Sequence, residues 1–131
     1  MEDLKRMLIG DRTYPFRIDL NVLEQIQEEY GTINGFERDL MGLRYKKDED
    51  GQQVYDEKGK AVMELAEPSI KAIKVVLPLA INEGIMIEAD EQNKPAETLT
   101  EEFVIRNCTV GFEILSKMLL EEFRRCFATK K

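Results

Sequence analysis

The stretch EPSIKAIKVVLPLAINEGIMIEA, Glu67 to Ala89, decides the fold. Ile70, Ile73, Leu77, Ala80 and Ile81 recur at helical spacing, and Val75, Val76 and Leu79 broaden the same apolar face. Few charges interrupt Val75 to Ile81, so this helix is expected at the centre of the molecule, covered on most sides. Pro68 suits the first helical position, where a missing N–H is harmless. Pro78 removes a backbone bond in the middle and is expected to kink the helix. Gly84 is expected to end it. Ile85-Met86-Ile87-Glu88-Ala89 then reads in two ways, as an edge strand or as a helix tail.

Upstream lie two shorter amphipathic segments. Asp19 is a good N-cap, and Leu20, Leu23, Ile26, Gln27 and Tyr30 share one helical face up to Gly31, a left-handed stop. Thr32 or Asn34 then caps a second helix carrying Ile33, Phe36, Leu40 and Leu43, ended by Gly42. The two form a helical corner or hairpin. Before them, residues 1–18 read as an extended lead-in, with Tyr14 to Ile18 alternating around Pro15 like an edge strand. Between the second and third helices, residues 44–66 carry the turn signals Asp50-Gly51 and Lys58-Gly59, so a charged β-hairpin or small meander is expected there.

Downstream, residues 89–98 form an acidic linker. Thr98 or Thr100 caps a fourth helix, with Thr98 and Glu101 at capping-box spacing and Phe103, Ile105 and Cys108 facing inward. A fifth helix is expected from Val110 to about Phe127, with Phe112, Leu115, Leu119, Phe123 and Cys126 on one face. The fold expected is mainly α: about five helices with a small β insertion between the second and third, in one domain over residues 1–131. No internal repeat is expected.

Composition narrows function by exclusion. The 131 residues hold 26 acids, 19 bases and no histidine, for a net charge of −7, and 43% are apolar. This is a globular balance, and the acidic excess argues against nucleic acid as a partner. Without histidine there is no Ser-His or Cys-His nucleophile pair, and no glycine-rich phosphate cradle appears, so an enzyme is not expected. Asp48-Glu49-Asp50-Gly51 invites a calcium-loop reading, but glycine follows the first Asp too soon. Cys108 and Cys126 have neither zinc spacing nor histidines beside them and read as small free core residues. No cofactor, metal site, signal peptide or membrane span is expected, and the chain reads as a soluble cytoplasmic protein. Charge is uneven: residues 19–39 and 86–102 each hold six acids and one base, whereas 117–131 hold five bases and two acids.

The run Ile18-Asp19-Leu20-Asn21-Val22-Leu23-Glu24-Gln25-Ile26, followed by Glu28-Glu29-Tyr30-Gly31-Thr32-Ile33 and Phe36-Glu37-Arg38-Asp39-Leu40, resembles the opening of tail assembly chaperones of long-tailed bacteriophages and prophages. The charged ribbon, the Glu67-Pro68-Ser69-Ile70-Lys71 helix start, the Thr-Glu-Glu start after an acidic linker and the amphipathic last helix follow in the same order. The likeness runs from about Ile18 to Phe127. It implies a non-catalytic role in the bacterial cytoplasm. Such proteins hold the tape measure protein soluble until tail tube subunits polymerise around it, and are absent from the finished virion. The tail tube protein is a second partner the likeness admits.

A holdase for helical clients needs an exposed apolar surface. The candidates are Ile85, Met86, Ile87, Ile114 and Met118, each beside an apolar stripe without an evident core position. The same surface serves self-association, so an oligomer or a monomer–oligomer equilibrium is expected. Arg124, Arg125, Lys130 and Lys131 form a candidate basic tail that acidic faces of another copy would attract. Two other readings stay open: a tail completion or connector subunit that remains in the particle, and an acidic inhibitor that mimics nucleic acid.

Overall fold

The computed structural model describes residues 3–127. Among these, helices dominate: α1 Leu20–Glu29, α2 Ile33–Met41, α3 Ile70–Glu91, α4 Glu101–Asn107 and α5 Phe112–Arg125. Two antiparallel strand pairs accompany them, β1 Lys5–Ile9 with β2 Arg12–Phe16, and β3 Leu43–Tyr45 with β4 Met63–Leu65. The ribbon between α2 and α3 is where the sequence puts it. The first hairpin is not: residues 5–16 pair with each other instead of leading in as one extended strand. Gly10, at φ 68°, makes its turn, and Met7, Ile9 and Phe16 point into the core.

The central helix is longer than expected. It has 22 residues, so it spans about 33 Å at ~1.5 Å per residue, and it passes straight through Gly84. The reason lies outside the helix. The hairpin crosses α3 here, and a Cβ on Gly84 would lie 2.7 Å from the Phe16 Cα and nearer still to the Pro15 carbonyl. Next to the crossing, the Arg17 N–H donates to the Ala80 carbonyl at 3.0 Å. Gly84 therefore marks a close backbone approach, not a helix end. Two consequences follow for the expected boundaries. Ile85 to Ala89 is helix and not an edge strand, and the acidic linker loses Ala89, Asp90 and Glu91 to α3.

Caps fix most other ends. Asp19, Thr32 and Ser69 each accept a backbone N–H in the first turn of α1, α2 and α3, and Thr100 does so for α4 through Phe103 N–H at 3.1 Å. Pro68 thus lies just ahead of the Ser69 cap and not at the first helical position. Thr98 is not the α4 cap, so the capping box with Glu101 does not form. Around α4, Val104 is buried and Ile105 and Cys108 pack partly buried against the core as expected, while Phe103 is exposed. Leu20 was placed on the buried face of α1 by spacing alone. At the first helical position it is 80% exposed.

The core joins both faces of α3. Ile73, Val76, Leu77, Ala80, Ile81 and Ile85 are buried, packed with β1–β2, α1, α2 and α5. An aromatic chain links the C-terminal half of α1 to the end of α5. Tyr30 meets Phe36 edge-on at 5.4 Å, Phe36 meets Phe123 at 5.5 Å, and Phe123 meets Phe127 at 5.2 Å. Glu122, 1% exposed, ties α5 to the start of α1. Its Oε2 accepts the Ile18 N–H at 2.8 Å, and Arg125 bonds both its carboxylate oxygens and the Ile18 carbonyl. One helix face thereby satisfies both backbone groups of a single extended residue.

Residues 44–66 project as an arm that touches the body mainly through α2. Here an internal repeat does exist: Asp48-Glu49-Asp50-Gly51-Gln52-Gln53-Val54-Tyr55 is followed by Asp56-Glu57-Lys58-Gly59-Lys60-Ala61-Val62-Met63. Each copy folds alike. Asp48 Oδ1 accepts from Asp50 and Gln52 N–H, and Asp56 Oδ1 from Lys58 and Lys60 N–H, all at 2.9 Å. Gly51 and Gly59 turn at φ 80° and 78°. The bridge Lys47 to Gln53 recurs as Tyr55 to Ala61. Positions eight apart close a ring: Lys46 N–H donates to Val62 O, Val62 N–H to Val54 O, and Val54 N–H to Lys46 O. The Asp48 side chain is thus engaged by its own turn.

Candidate functional site

The most distinctive concavity runs along α3 between α1 and α4. Its floor is Val75, Pro78, Leu79, Asn82, Glu83 and Met86. Gln25 and Glu29 of α1 wall one side and Glu101 of α4 the other, around about 490 Å³. The walls are held by polar clamps. Asn82 donates its amide to the Leu99 carbonyl and accepts the Leu99 N–H, both at 2.8 Å, which fixes the chain entering α4. On the α1 side, Asn21 Nδ2 donates to Glu83 Oε2 at 3.1 Å. The polar interruptions of the apolar stretch, Asn82 and Glu83, are therefore the residues that hold the groove open between two helices.

The floor mixes apolar Val75, Pro78, Leu79 and Met86 with polar Asn82 and Glu83, and is partly uncovered. Met86 is 45% exposed, and Val75 and Leu79 are half-buried. Pro78 has no N–H, so the Lys74 carbonyl lacks its usual partner one turn on. From Val75 to Met86 the floor runs about 17 Å along α3, three turns of a helix laid beside it. Among the described residues its lining is acidic, with Glu29, Glu83 and Glu101 and no lysine or arginine. Glu83 is only 7% exposed. Its carboxyl is pushed up from the ordinary 4.5 to about 6, first by hydrogen bonding with the Asp19 carboxyl, then by burial, against the Asn21 amide, which favours the charged form.

A second hollow, between the β1–β2 hairpin and residues 92–99, differs in kind. Arg6, Arg12, Glu88 and Lys94 line it, and the Arg6–Glu88 ion pair, 2.7 Å apart, crosses it. That hollow is polar and carries cations as well as carboxylates.

The residues singled out by sequence do not form one surface. Met86 lies in the groove, and Ile87 beside it is half-buried. Ile85 belongs to the core, turned toward the hairpin, and is no part of an exposed face. Ile114, 62% exposed, and half-buried Met118 lie on α5, with Met118 against Lys5, Phe16 and Glu121. The basic tail is tied down where it is described. Arg124 pairs with Glu37 at 3.7 Å and donates to Met41 Sδ, and Arg125 serves the Glu122 clamp. Lys130 and Lys131 lie outside the described residues. Cys108 and Cys126 are free and half-buried, and burial pushes the Cys126 thiol up.

Among the described residues, no cluster of carboxylates and thiols is arranged to hold a metal ion, and no helix is long and apolar enough to cross a membrane. Searches against family models, curated proteins and solved structures find no match to this chain.

Proposed function

We propose that this chain is a non-catalytic helix-binding protein, a tail assembly chaperone of a long-tailed phage or prophage that keeps its tape measure protein soluble in the host cytoplasm. The observation that carries the reading is the groove on α3. A largely helical client presents amphipathic faces, and an amphipathic helix buries its stripe in a groove through anchors at i, i+3 or i+4, and i+7. Over three turns the floor offers Val75, Leu79 and Met86, three partly uncovered apolar side chains that fit that number of anchors. Met86 suits the task, because a thioether adapts its shape to varied side chains. The resemblance to that family, from about Ile18 to Phe127, is what suggests the tape measure protein as the client.

The test is co-expression with the very long helical product of the neighbouring tail gene. That product should stay in the supernatant with this protein and precipitate without it, and Met86→Glu should abolish the protection. Equal precipitation in both cases contradicts the reading. Mass spectrometry of purified virions should find the tail tube protein and not this chain.

A further inference from the structure

We infer that the groove on α3 selects a partner helix whose apolar stripe is flanked by lysine or arginine. The inference rests on the groove being the client site and adds the client's charge. Glu29, Glu83 and Glu101 surround the apolar side chains Val75, Leu79 and Met86, and among the described residues no lysine or arginine lines the groove. Elsewhere the chain matches its charges internally: Arg6 with Glu88, Arg44 with Glu64, Arg106 with Glu102, Arg124 with Glu37, and Arg125 with Glu122. Among the described residues, no ion pair reaches the three groove carboxylates. Glu83 is held by the Asn21 amide and faces Asp19, so two carboxyls meet at one end of the groove.

An incoming lysine or arginine there would relieve that repulsion and gain a charge-assisted bond in a partly dry site. An acidic flank would meet like charge on both walls. Lys74 and Arg106 line the adjoining hollow with Glu101 and are not part of the groove's own lining. The end of α5 from a second copy is a poorer occupant, because Arg124 and Arg125 are already engaged within the chain.

Fluorescence anisotropy on the full chain tests this with two labelled amphipathic peptides of about 20 residues. They share one leucine and isoleucine stripe and differ only in lysine or glutamate flanks. The lysine peptide should bind roughly tenfold or more tighter. The double variant Glu29→Lys, Glu101→Lys changes two exposed side chains and should reverse that preference. If both peptides bind alike and Met86→Glu weakens both, the charge inference is overturned and the groove remains the client site. If neither binds, or Met86→Glu changes nothing, the groove reading falls as well. A stable dimer of the unliganded chain that the lysine peptide cannot dissociate would make a second copy the occupant and overturn the inference.

Discussion

Helix α3 and the 44–66 arm both contain glycine, and the same residue type does opposite work in them. In α3, Gly84 is small because another backbone lies against it. In the arm, Gly51 and Gly59 have open space around them and are needed for their positive φ. The body around α3 is held by burial across distant parts of the chain. The arm is held by backbone bonds and two aspartate turns, and its apolar side chains, Val54 and Val62 among them, are at most half-buried. Stability therefore concentrates in the body, and the arm should open locally without unfolding it.

The largest effect should come from Gly84→Val. It drives a branched side chain into the Pro15–Phe16 backbone and should cost about 4 kcal/mol or more, read as a lower urea midpoint or loss of folded protein. Gly51→Ala in the arm places a side chain at φ 80° with nothing nearby, and should cost only ~1 kcal/mol, confined to the arm. If the two variants lose similar stability, the contrast between body and arm is wrong.

Glu122→Ala comes next. It leaves the buried Ile18 N–H and the Arg125 guanidinium without their carboxylate, for roughly 3 kcal/mol in chemical denaturation.

Glu83 gives a smaller, pH-dependent effect. Its folded value, about 6, lies above the ordinary 4.5, so the folded state holds the proton more tightly than the unfolded chain does. That contribution is complete below pH 4.5 and is lost as pH rises through 6, by up to about 2 kcal/mol. Urea titrations between pH 4 and 7 should follow that fall, and Glu83→Gln should flatten it.

The smallest global effect belongs to Asp48→Ala with Asp56→Ala. Amide exchange should speed up across residues 48–62 while the stability of the body moves by less than ~1 kcal/mol.

Periodicity made α1, α2 and the apolar character of α3 legible, and the turn signals Asp50-Gly51 and Lys58-Gly59 the ribbon, because each signal is local. Gly84 misled because a helix-stopping glycine and a close-packing glycine are the same letter; only the hairpin lying across α3 distinguishes them. That hairpin was itself obscured, since Pro15 sits in β2 and the β1 residues are interleaved with charge. The eight-residue repeat was readable by laying Asp48 to Tyr55 over Asp56 to Met63. Of the candidate surface, only Met86 is in the groove. Its partners Glu29 and Glu101 are distant in sequence and look like ordinary solvated helix acids. Asn82-Glu83, a polar pair inside an apolar helix just after Pro78, was the available signal. Glu122 was available too, since it continues the buried stripe from Leu115 and Leu119.

The central claim is that a helix docks on α3, not on the arm. Amide chemical-shift mapping of the intact chain with the lysine-flanked peptide tests it most directly. Shifts should concentrate at Gln25, Glu29, Val75, Leu79, Glu83, Met86 and Glu101 and leave Asp48 to Lys60 unmoved. Perturbations gathered on the arm, or at Ile114 and Met118, with the groove silent, would contradict it.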